Sequence, residues 1–146
     1  MRLDIKILII SLVFFLFSLT QDAYSTIDSS GYIKSANSFY LLLVGWIGAI
    51  MGEGGAAICW VANPLIFIAW VFYRKNLKIS LISAVFSLVF SLLFLFFKEV
   101  IVSEAPTFLK IIELKLGYWL WVLSIVIFTI GILVVFLKNN TVKSKS

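Results

Sequence analysis

The sequence predicts an all-α, polytopic membrane bundle: four transmembrane helices plus one short re-entrant or interfacial helix. Three observations predict it. Of the 146 residues, 62% are hydrophobic and 13% charged, against about 25% charged in a soluble domain, so lipid is the solvent such a surface fits. The basic residues flank apolar runs of span length, where they anchor topology. The 36 residues from Ser38 to Tyr73 hold a single charge, Glu53.

The elements follow in order, as one membrane domain over residues 1–146. The first span covers about residues 5–21. Its apolar core from Ile7 to Leu19 is short, and Ser11, Ser18 and Thr20 extend it. Arg2 and Lys6 ahead of that core, with Ala23-Tyr24-Ser25 behind it, fit both a cleaved secretory signal peptide and a retained span; the retained span is adopted. Residues 22–37 are rich in Ser, Asp and Gly and read as an external loop. The second span, about 55–73, is interrupted by Asn63-Pro64. Proline lacks a backbone donor and crowds the preceding turn, so a kink is expected near Ala62-Asn63. The third span covers 79–97 and the fourth 117–137. The external segment 98–116 mixes charges with Val, Ile and Leu; Ala105-Pro106 marks a turn, and Ile112 to Leu116 alternates with period two. A short hairpin and an interfacial amphipathic segment both fit it.

Charge sets the orientation. If both termini and the Arg74–Lys78 loop share one side, that side holds eight of the twelve basic residues, with only Asp4 opposing them. The positive-inside rule makes it the cytoplasm. Residues 38–51 reach only about 21 Å as a helix, short of the ~30 Å core, and a fifth span would destroy the asymmetry. They are therefore read as a helix in, or dipping into, the outer leaflet, which leaves Glu53 near the outer interface.

Few residues are candidates for chemistry. Glu53 is the candidate functional or coupling residue, because an ionisable group within apolar sequence is expensive; as an interfacial turn residue or helix N-terminal charge it has a purely structural role. Gly48 and Gly52 form a GxxxG pair suited to close helix packing. Ser83, Ser87 and Ser91, with Ser80 one turn earlier, line one helix face and read as a packing stripe. Trp60 and Asn63, three residues apart, form the candidate intramembrane polar pair. The other aromatics, Phe39, Tyr40 and Trp46 with Tyr118, Trp119 and Trp121 outside and Trp70 and Tyr73 inside, read as interfacial belts. The chain has no histidine and a single cysteine, Cys59, so an intrachain disulfide is excluded and no catalytic constellation, metal site or cofactor motif emerges. The net charge of +5 belongs to topology anchors and implies no nucleic-acid partner.

Two resemblances add to this. Gly48-Ala49-Ile50-Met51-Gly52-Glu53 resembles the glycine- and alanine-rich first helix of small multidrug resistance transporters, which carries a membrane-embedded glutamate. Trp60-Val61-Ala62-Asn63-Pro64-Leu65 entering one span and Gly117-Tyr118-Trp119-Leu120-Trp121 opening another resemble small uncharacterised bacterial four-span inner-membrane proteins, over about the last two-thirds of the chain. The second resemblance implies a bacterial inner membrane and carries no substrate. The leading expectation is a non-enzymatic protein acting through contacts in or near the membrane: an accessory subunit, or an immunity-type protein against a membrane-active toxin. Its partners are the lipid bilayer and a membrane or periplasmic protein, or a second copy of itself. The alternative is a small oligomeric transporter or channel component with Glu53 as coupling carboxylate.

Overall fold

A computed structural model describes residues 3–51, 55–101 and 108–143. The chain runs α1 (Leu3–Leu19), β1 (Asp22–Ile27), β2 (Ile33–Asn37), α2 (Ser38–Met51), a 3₁₀ helix (Gly55–Val61) leading into α3 (Ala62–Phe72), α4 (Leu77–Leu93) with a 3₁₀ turn Phe94–Phe96, β3 (Glu99–Ile101), β4 (Phe108–Leu114) and α5 (Leu116–Lys143). Among the described residues, three helices are long and apolar enough to cross a membrane: Gly55–Phe72, Leu77–Phe96 and Leu116–Asn139.

The fold is mostly helical, but it is not all-α. The two segments expected to be external pair into one antiparallel sheet of order β2-β1-β4-β3. The expected loop at 22–37 is a hairpin. β-Formers on both sides of Asp28-Ser29-Ser30-Gly31 carry that signal. Asp28 Oδ1 accepts from the Ser30 hydroxyl at 2.6 Å and from the Ser30 and Tyr32 amides at 2.9 Å, and Gly31 takes φ +84°, a left-handed turn position that suits glycine. The Ser30 hydroxyl bond, with the backbone donors behind it, holds the Asp28 carboxyl below its ordinary range. The period-two stretch belongs to β4, though the strand ends at Leu114 and helix begins at Leu116. Register shifts at Asp22/Tyr24 against β2, and at Ser25/Thr26 against β4, mark bulges, which bend and twist the sheet. The Ala105–Pro106 turn lies outside the described residues.

The bundle buries small serines beside its apolar core and leaves many large apolar side chains outside. Ser11, Ser18, Ser80, Ser87, Ser91 and Ser124 have 0% exposure, while Val13, Leu16, Val71, Phe86, Val89 and Ile130 are exposed. That inversion suits lipid, where apolar side chains gain nothing by leaving the solvent and small residues let backbones approach. Hydroxyls then bond the carbonyls of neighbouring helices: Ser80 to Ala69 O and Ser87 to Ala62 O join α4 to α3, each at 2.8 Å, and Ser11 to Ser124 O joins α1 to α5 at 2.9 Å. The Ser11 oxygen also accepts the Trp70 indole N–H at 3.2 Å. A core of Phe15, Ile66, Ile125 and Phe128 fills the centre.

α1 and α5 lie antiparallel: Ile7 abuts Gly131, Ser11 meets Ser124, and Asp22 abuts Gly117. The pairing continues past the helices, since Lys115 N donates to Ala23 O at 2.8 Å and β1 pairs with β4. The sheet therefore caps one end of the bundle, over Ala23, Phe94, Val100 and Tyr118. The other end carries the α3–α4 turn with Arg74 and Lys75, closed by Asn76, whose side chain accepts from the Lys78 and Ile79 amides at 3.1 and 3.2 Å as an N-cap.

α2 returns to the sheet end. Asn37 Oδ1 caps it by accepting from Phe39 N at 3.1 Å, and Ser38 N donates to Gln21 O. At its far end, Met51 is four residues from Gly55, so the two Cα atoms lie within roughly 14 Å, and Gly55 stands against the Phe97 ring beside β3. The expected kink is a change of helix type, from 3₁₀ to α at Val61–Ala62.

At Gly117 an added Cβ meets the backbone of Asp22, whereas at Gly131 it meets the side chain of Ile7. Gly117→Ala is expected to destabilise the fold by about 1–3 kcal/mol, as overpacking against backbone does, and Gly131→Ala by less. Thermal unfolding in detergent micelles checks the order; equal effects would argue against the close α1–α5 approach at the sheet.

Candidate functional site

A pocket of about 390 Å³ lies beneath the sheet. α2 forms one wall with Leu41, Val44, Gly45 and Gly48, and the 3₁₀ helix forms the opposite one with Ala56, Cys59 and Trp60. Tyr24 and Val100 lie at the sheet side, and Tyr118 and Trp121 stand behind. Among the described residues, no charged side chain lines the pocket.

Most polar groups in the wall are already engaged. The Trp121 indole donates to Asn63 Oδ1 at 2.9 Å, the Trp60 indole donates to Leu42 O at 3.1 Å, and the Tyr118 hydroxyl donates to Ser91 O at 2.9 Å. Tyr24, Phe94 and Tyr118 follow one another with ring centroids 5.4 and 5.5 Å apart. Burial pushes the Tyr24 phenol up to about 12, so it stays a neutral hydroxyl. Among the described residues, Ser38 Oγ, packed against Gly117, is a buried side-chain polar atom without a hydrogen-bond partner. Leaving a buried hydroxyl unpaired costs about 1–3 kcal/mol.

The sequence-derived candidates divide three ways. Glu53 and Gly52 lie outside the described residues. Gly48 is on the pocket wall, while the close approach in α2 is at Gly45, where a methyl group would overlap the Trp60 indole. Trp60 and Asn63 do not pair with each other, a correction to the expected couple: the indole turns to α2 and the amide to α5. Their three-residue spacing brings them to one side, but each finds a stronger partner on another helix. Ser83, Ser87 and Ser91 are buried on α4, and Ser87 makes a helix–helix bond whereas Ser91 bonds its own Leu88 carbonyl at 2.9 Å. Ser38, Gly45 and Trp121 were not legible as site residues, because their roles depend on contacts between distant segments.

Among the described residues, no three His, Cys, Asp or Glu side chains stand together as metal ligands. As far as the described residues line it, the concavity is mainly apolar. No protein-family model, curated protein or solved structure matches the chain.

Asn63→Leu leaves the Trp121 indole without its acceptor and is expected to cost about 1–2 kcal/mol. Adding Trp121→Phe should recover part of that, with a coupling of roughly 0.6–1.7 kcal/mol in a thermal double-mutant cycle; strict additivity would refute the bond. For Tyr24, whose folded value is raised, the folded state holds its proton more tightly. Its contribution is fully present below the unfolded value of about 10 and is lost as pH rises through about 12. Phenolate absorbance should therefore show late-ionising tyrosine, and Tyr24→Phe should lower the amplitude of that late step.

Proposed function

We propose that this chain is a non-enzymatic protein of the bacterial inner membrane that crosses it four times, with both termini cytoplasmic, and works through protein contacts at the outer face. In this reading it is an accessory subunit or an immunity-type protein. The observation that carries the reading is the sheet. β2 is its outer strand, paired on one side only among the described residues, and Tyr32 and Ile33 are exposed there. An open strand edge with apolar side chains is a template for an added strand, and it stands where a periplasmic segment can reach it.

Four crossings are supported by α1. Its 17 residues make about 25 Å of helix, and it lies alongside α5, the longest apolar helix, so both occupy the same depth. The orientation is supported by charge: Arg74, Lys75, Lys78 and Lys138 stand at the end away from the sheet, whereas at the sheet end Lys34, Lys98, Lys110 and Lys115 are offset by Asp22, Asp28, Glu99 and Glu113. α2, with both ends near the sheet and Phe39, Tyr40 and Trp46 exposed, suits an interfacial helix in the outer leaflet. The transporter alternative rests on Glu53, and Glu53→Gln tests it: abolished transport with intact expression would favour it.

A photo-crosslinking residue in place of Ile33 should yield one discrete protein adduct in native membranes, lost on Tyr32→Ser and unchanged by Glu53→Gln. Adducts to lipid alone would sink the reading. For topology, Glu53→Cys in a Cys59→Ser background should react with an impermeant maleimide from the outside; labelling only after the membrane is opened would overturn the orientation.

A further inference from the structure

We infer that Gly55–Val61 is a screw joint: it passes between a 3₁₀ and an α form about a pivot at Ala62, and that motion unlatches α2 from the bundle. The joint is separate from the β2 edge and does not rest on the protein-contact reading. Its pivot is fixed, because Ser87 Oγ donates to Ala62 O at 2.8 Å and ties the start of α3 to α4. The 3₁₀ form has two supports. One is Pro64. If the seven residues wound as α, Pro64 would lie inside a continuous helix with its ring against the Trp60 carbonyl, four residues back. The other is packing. A 3₁₀ helix repeats every three residues, and Ala56, Cys59 and Ala62 are 8, 3 and 0% exposed while Ile58 is 47% exposed. A row of small side chains thus faces inward, with Ala56 and Cys59 in one cluster with Phe94 and Tyr118.

Against these supports stands the length of the segment, since 3₁₀ runs beyond three or four residues are uncommon and their hydrogen bonds are poorer than those of α. The two forms are also close in backbone: Val61, at φ −57° and ψ −21°, is about 20° in ψ from an α residue. Winding the segment as α turns it by about 20° for each step away from the pivot and shortens its seven residues by about 3.5 Å. Trp60, two steps away, turns by roughly 40°. Its indole then leaves the Leu42 carbonyl that it bonds at 3.1 Å and the Gly45 surface that it covers. Ile58, four steps away, turns by roughly 80° and comes within about 40° of the small-residue row. There it is a wedge, which lifts the segment off its cluster and keeps the α form the minor one, on the order of 1% of molecules.

Trp60 reports the exchange. The full chain, carrying isotope-labelled tryptophan, is placed in lipid nanodiscs, and relaxation dispersion of the indole N–H groups reads microsecond-to-millisecond motion; Trp60→Phe assigns the signal. Exchange with a minor state of about 1% is expected at Trp60 and none at Trp70, whose indole bonds Ser11 beyond the pivot. Pro64→Ala removes the ring that opposes the α form and should raise the minor population about tenfold or more. Ile58→Ala removes the wedge and should also raise it, whereas Ile58→Trp enlarges the wedge and should suppress the exchange. Flat dispersion at Trp60, exchange of equal size at Trp70, or a minor population unmoved by Pro64→Ala overturns the proposal. Should Pro64→Ala fail to fold, the two Ile58 variants decide: opposite shifts support the joint, and no shift in either, or the same shift in both, overturns it.

Discussion

The antiparallel union of the first and last helices, carried on without a break by β1 and β4, is the constraint on which the rest of the structure depends. It fixes the register of residues more than a hundred positions apart, as the Ser11–Ser124 bond shows. Because the pairing runs from helix into strand, the sheet is set at one height on the bundle. β2 and β3 then add to its edges, and α2 is hung from β2 beside it. The pocket is a by-product of that layout: α2 starts at the sheet, passes the 3₁₀ helix and returns, so a space remains between them.

Hydrogen bonding does the specifying inside this frame. In lipid, an unpaired polar group has no water to turn to, so each serine within the bundle must find a carbonyl. Ser80 and Ser87 find theirs on α3 and Ser11 on α5. Each bond is worth little, on the order of 0.6 kcal/mol in membranes, yet each is satisfied in only one arrangement of the helices. Large apolar side chains fill the centre at Phe15, Ile66, Ile125 and Phe128 and otherwise cover the outer surface of the bundle.

The three helices long and apolar enough to cross a membrane were legible in the sequence because hydropathy is a local signal. The short helix at Ser38–Met51 was legible for the same reason, being apolar and too short to cross. The sheet was only half legible. Ile112 to Leu114 showed its alternation, but the Asp28–Gly31 turn sits in a segment whose Ser and Asp content looks like loop, and nothing local says that Tyr24 will face Leu114. The pocket was hidden for a similar reason. Gly45 and Trp60 belong to different helices, and only their meeting shows why the glycine has no room for a side chain. Trp60 and Asn63 were correctly singled out as polar groups in need of partners; spacing along one helix named the wrong partners.

The pairing of β1 with β4 also has a meaning in time. Tyr24 and Leu114 are partners ninety residues apart, and a ribosome adding about 5–20 residues per second needs on the order of 5–20 seconds to cover that distance. Throughout that interval the β1–β2 hairpin stands with both its edges open. The newborn chain therefore passes through a stage in which another strand can claim β1 before β4 arrives to end it.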